Sequence, residues 1–96
     1  MTFADLREAL LVFGLGERAT RSEIKARYRQ LVKKYHPDVG DEHDNDRIRM
    51  INAAYQVLLA YIESFRFSFA EDEFYEQNPD ERLRRQFMND PLWGNE

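Results

Sequence analysis

The sequence predicts an all-α protein: an antiparallel pair of long helices with a short first helix, followed by an additional C-terminal helix. Three observations carry this expectation. Apolar residues recur three and four apart in the long segments, β-branched runs and strict apolar-polar alternation are nearly absent, and capping signals stand where the segments begin.

The first helix is expected over Phe3–Phe13, with Thr2 as its cap and Leu6, Leu10 and Phe13 along one face. Gly14 ends it, and GLGERA forms a loop. Thr20-Arg-Ser-Glu23 is a capping box, so the second helix starts at Arg21 and runs to about Tyr35. On it Ile24, Tyr28, Leu31 and Tyr35 fall at i, i+4, i+7 and i+11, one apolar face with Val32 at its border. Pro37 has no backbone N–H and disfavours helical geometry at His36, which ends the helix and begins a turn. The third helix opens among the acids of residues 41–46 and continues through Ile48, Ile51, Tyr55, Leu58, Ile62 and Phe65, ending near residue 64. That spacing suits nearly antiparallel packing on a neighbour, so the core is expected between the two long helices, clasped by the short one.

Composition limits the function. Ninety-six residues give one modest core and little room for an enclosed multistep active site. With 43% hydrophobic and 33% charged residues, the chain is suited to a packed, soluble fold. The absence of cysteine excludes disulfides, thiolate metal sites and cysteine nucleophiles. No run of eighteen apolar residues occurs, and MTFADLREALLVFG lacks the basic start and cleavage site of a secretory signal, so a cytoplasmic location with no membrane partner is expected.

The net charge of −4 conceals an uneven distribution. Residues 18–36 hold seven basic side chains against one acid, Glu23, a local balance of +6 that leaves −10 on the rest. Lys25, Arg29 and Lys33, four apart, form a stripe about 120° from the apolar face at about 100° per residue, and Lys34 lies beside it. Such a stripe is either a solvated face or a surface steering an acidic partner.

The tract ALLVFGLGERATRSEIKARYRQLVKKYHPD, a short polar loop and RIRMINAAYQVLL, spanning roughly residues 9–59, resembles the J-domain of the DnaJ co-chaperone family. The His-Pro-Asp triplet alone would recur by chance; between these two helical tracts it is highly specific. The resemblance implies a partner, a DnaK-type chaperone of the heat-shock protein 70 family, whose ATP hydrolysis the domain stimulates without a catalytic site of its own. It places His36, Pro37 and Asp38 at the docking surface, together with the basic helix face at Lys25 and Arg29, and with Lys33 and Lys34 nearby. No metal, cofactor or small-molecule substrate is implied.

The chain departs from the family in three places. Val39-Gly40 stands where a further basic residue is common after the aspartate, Ile48 replaces an aromatic early in the third helix, and the basic, alanine-rich fourth helix is missing. Residues 1–66 are therefore read as the J-domain and 67–96 as a C-terminal extension. In that extension RFSFAEDEFYEQ reads as an aromatic, acidic connector, and Asn78-Pro79-Asp80-Glu81 opens a helix over residues 79–88 with Leu83 and Phe87 on one buried face. The tail carries no glycine-phenylalanine linker or zinc-binding cysteine module of the kind that longer DnaJ proteins have.

Two other classes compete. The basic second helix is also the form of a nucleic-acid-binding module that reads a major groove, which the acidic net charge opposes. A metal-dependent enzyme built on His36, Asp38 and His43 lacks a third well-placed nitrogen ligand.

Overall fold

The structure, a computed structural model, describes residues 1–35 and 42–89, the side chains of 42–44 excepted. The chain divides into two compact units, Met1–Phe65 and Arg66–Glu96. All regular structure among the described residues is helical.

The first unit holds α1 (Phe3–Phe13), α2 (Arg21–Lys34) and α3 (Glu42–Ser64). Both of the first two helices begin in reciprocal capping boxes. The Thr2 hydroxyl accepts from the Asp5 amide at 3.1 Å while the Asp5 carboxylate accepts from the Thr2 amide at 2.9 Å. Thr20 and Glu23 repeat the arrangement at 3.1 and 2.7 Å, so two otherwise unpaired donors are satisfied at each start. Those bonds hold the Asp5 and Glu23 carboxyls below their ordinary pKa values. At the far end of α1, Gly14 takes the left-handed conformation at φ 67°, and the Leu15 amide reaches back to the Leu10 carbonyl at 3.1 Å.

Two pairings set the direction of α2 against α3. The rings of Tyr28 and Tyr55 stack at 4.0 Å, and the Tyr28 hydroxyl donates to Asn52 at 2.7 Å. Seven residues further along α2, Tyr35 accepts from Arg47, which lies earlier in α3, at 2.9 Å. Advancing on α2 thus means retreating on α3, and the pair is antiparallel.

The buried core consists of Ala9, Phe13, Ile24, Leu31, Ile51, Ala54 and Leu58. Ile24, Leu31, Ile51 and Leu58 lie on the faces that periodicity predicts; Tyr28, Tyr35, Ile48, Tyr55 and Ile62 pack around them, partly buried. Phe65 lies just beyond α3 and is 49% exposed, because the helix ends at Ser64, one residue before it. Among the described residues α3 packs more extensively on α1 than on α2. The short helix is therefore a full core partner, a difference from the expected clasp. The reason is size: Ala9 and Ala54, both buried, keep little bulk between the two axes.

The second unit contains α4 (Glu71–Gln77) and α5 (Pro79–Asn89). The first of these corrects the reading of this stretch as a connector. Three acids, Glu71, Asp72 and Glu73, occupy its first turn and favour a helix start through the dipole, although Ala70 supplies no side-chain cap. Asn78 joins the two helices. Its amide and its side-chain Nδ2 both donate to the Phe74 carbonyl at 2.9 Å, while its own carbonyl accepts from Glu81 at 3.0 Å. Arg85 ties α5 to α4, pairing with Glu71 at 3.0 Å and lying 5.1 Å above the Tyr75 ring. Leu83 and Phe87, expected to be buried, are 53% and 52% exposed. A hairpin of seven and eleven residues has too little mass to enclose them.

Candidate functional site: the outer face of the second helix

Helix α2 owes its orientation to its two unlike faces. Ile24 and Leu31 are buried against the other helices, which turns the opposite side outward. On that side Arg29 and Lys33 are exposed and Lys25 is half-buried, while Lys34, three residues beyond Leu31, is exposed on the flank toward Tyr35. No ion pair among the described residues engages Lys25, Arg29 or Lys33. A row of cations about 6 Å apart, one helical turn between each, is therefore presented without internal neutralisation.

Arg27, counted with the basic residues in the sequence, has a different task. Its Nε donates to the Phe13 carbonyl at 2.8 Å and its Nη1 to Gln30 at 3.2 Å. The side chain caps the end of α1 and is taken out of the outward charge. Nothing in local spacing distinguishes it from Arg29; the signal available was Gly14, whose turn leaves carbonyls of α1 in need of a donor.

The last described residue of this segment, Tyr35, closes α2 as its C-cap with φ −112° and ψ 42°. The Lys34 ammonium lies 5.3 Å from its ring centre and the Arg47 guanidinium 4.9 Å. Burial alone would push the Tyr35 hydroxyl up; the two cations beside it outweigh that and hold its pKa below the ordinary phenol value. This clamp of Lys34, Tyr35 and Arg47 fixes the chain where it leaves α2, at the threshold of the triplet. Sequence reasoning did not find Arg47, because its partner is twelve residues away and no periodicity links them.

His36, Pro37 and Asp38 themselves lie outside the described residues, as does the side chain of His43. In the chain the triplet falls between α2 and α3. No described helix is long and apolar enough to cross a membrane.

Comparison with known proteins agrees with this arrangement. A family model for the DnaJ domain matches residues 11–61, which takes in the end of α1, all of α2 and most of α3. The chain is 37% identical over 68 residues to the chaperone protein DnaJ of Finegoldia magna, covering 69% of this chain and 18% of that one. It is 43% identical over 56 residues to the chaperone protein DnaJ of Erysipelothrix rhusiopathiae, 57% of this chain and 15% of the other. An uncharacterized 19.0 kDa protein in the cobS 5′ region of Sinorhizobium sp. is 47% identical over 53 residues, 53% of this chain and 31% of that protein. The matches thus span less than a third of these relatives' own length. No solved structure matches the chain significantly. The family model covers more than half of the sequence. The chain belongs to the DnaJ domain family.

Proposed function

We propose that this chain docks on a DnaK-type chaperone of the heat-shock protein 70 family and accelerates its ATP hydrolysis, contributing no catalytic group of its own. The observation that most supports this reading is the exposed cation row of α2 leading into His36-Pro37-Asp38 in a member of the DnaJ domain family.

The chemistry suits the role. Lys25, Arg29, Lys33 and Lys34 attract an acidic surface over about a Debye length, which raises the encounter rate and orients the approach more than it adds affinity. Asp38 then pairs with a partner arginine, and His36 donates a hydrogen bond. Pro37 restricts the turn, so less conformational entropy is lost on docking.

A single-turnover ATPase assay with a DnaK-type chaperone tests the proposal. The wild type should increase hydrolysis, and His36→Gln or Asp38→Asn should abolish the increase. Both residues fall in a stretch that the sequence reads as a turn, so stability should change by no more than about 0.5 kcal/mol. Equal stimulation by wild type and both variants would refute the mechanism.

A further inference from the structure

A second surface runs along the trough between α1 and α3 and reaches the end of α2 at Lys34 and Tyr35. Two adjoining depressions share Val12 and Met50 as walls, so they lie end to end along the trough. Its middle is apolar: Ala9, Val12, Met50 and Ala53 line it, and Leu11 stands at its edge. Met50 is 54% exposed and Leu11 75% exposed, large apolar side chains turned to solvent beside each other. On α3 Met50 and Ala53 are exposed while Val57 packs partly against the core, so the apolar surface of the helix extends past the core face toward solvent.

The two ends of the trough carry opposite charge. Asp5 and Glu8 line one end, opposite Val57. Lys34 and Arg47 line the other, beside Tyr35. The nearby acid Asp46 faces Arg49, at 3.8 Å, and does not line the trough. From residue 47 to residue 57 of α3 the trough is about 15 Å long, at about 1.5 Å per residue, or ten residues of a bound helix.

We infer that this trough is a docking site for an amphipathic helix of a partner protein, one with acids in its first turn, bases in its last, and apolar side chains at i, i+4 and i+7. Charge complementarity determines the occupant and its direction. The N-terminal acids lie over Lys34 and Arg47 and the C-terminal bases over Asp5 and Glu8. A helix of that charge order is also the one its own dipole favours, so partner stability and docking point the same way. The apolar side chains seat between Leu11, Val12, Met50 and Val57, the arrangement by which helices bind in grooves generally. The site shares Lys34 with the surface proposed for chaperone docking but does not rest on that reading.

The test uses the full chain and two labelled synthetic helical peptides of one composition, followed by fluorescence anisotropy. One has acids first and bases last; in the other the two ends are exchanged. The first should bind at least about tenfold more tightly than the second, and Met50→Glu should weaken it by about tenfold. Glu8→Lys combined with Arg47→Glu should invert the preference between the peptides. Met50→Glu and Leu11→Glu, both at exposed positions, should leave the melting temperature and any stimulation of a DnaK-type ATPase unchanged. Failure of both peptides to bind, equal binding of the two, or indifference to Met50→Glu would overturn the inference. So would a dimer in sedimentation velocity that Met50→Glu dissolves, which would assign the trough to a second copy of the chain.

Discussion

The Nε of Arg27 donates to the carbonyl oxygen of Phe13 at 2.8 Å, so a side chain from α2 completes the end of α1. Phe13 is fully buried and its ring faces that of Tyr55 at 6.2 Å. The bond therefore joins the most buried side chain of the core to all three helices of the first unit. Arg27→Ala should destabilise this unit by about 1.5 to 3 kcal/mol, the range for a bond with a charged donor. Arg27→Lys should recover only part, since an ammonium lacks the fork that reaches Phe13 and Gln30 together. Urea denaturation of the three proteins gives the comparison; equal midpoints would show that the bond is dispensable.

The Tyr28–Tyr55 stack should behave as a coupled pair. Tyr28→Phe keeps the ring and removes only the bond to Asn52, for a cost of about 0.5 to 1.5 kcal/mol. A double-mutant cycle with leucine at both positions should return a coupling of about 0.5 to 1.5 kcal/mol beyond the buried area.

Acid should loosen the helix starts. The folded-state pKa of Glu23 lies below its ordinary value of 4.5, held down first by the bond from the Thr20 amide and then by that from the Thr20 side chain. The folded state thus binds the proton less readily than the unfolded chain. Its contribution is complete above about pH 4.5 and is lost as pH falls through the lower folded-state value. Asp5 acts in the same direction from its ordinary value of 3.8. Glu23→Gln should accordingly flatten the fall in melting temperature between neutral pH and the acid range, and Thr20→Ala should cost about 1 kcal/mol at neutral pH. An unaltered pH profile in Glu23→Gln would count against the capping carboxylate.

The cation row predicts a rate effect on chaperone docking. Lys25→Glu with Arg29→Glu should slow association with a DnaK-type partner while changing dissociation much less, because reversed charges act mainly on the encounter. Raising salt should reproduce part of that loss in the wild type and less in the variant. Surface plasmon resonance separates the two rates, and an association rate indifferent to both reversal and salt would leave α2 with a solvated face only.

What could be read in the sequence was what is local. Thr2, Gly14 and the Thr20–Glu23 box carry their own structural instructions within four residues, and the bounds of α1 and α2 follow from them. The apolar faces of α2 and α3 followed from spacing. Ala9 and Ala54 did not stand out, because a small residue announces no burial; only the closeness of two helices gives it a role. The start of α4 escaped notice for the opposite reason, since Ala70 supplies no cap and Phe74 and Tyr75 are adjacent rather than spaced along one face. While the triplet that follows them lies outside the described residues, the exposure of Arg29 and Lys33 in the candidate site was legible in their spacing. The tasks of Arg27 and Arg47 were not, because each meets a partner on another helix.

The stacked tyrosines also give the molecule two separable optical signals. Four of its five tyrosines lie in Met1–Phe65, while its one tryptophan, Trp93, lies in Arg66–Glu96. Rings held at 4.0 Å couple their electronic transitions, so near-ultraviolet circular dichroism from Tyr28 and Tyr55 should persist only while α2 and α3 remain packed. Far-ultraviolet ellipticity, by contrast, sums the helices of both units. Followed together through one denaturant titration, coincident curves would mean that the halves melt as one cooperative body, and displaced curves that each has a transition of its own.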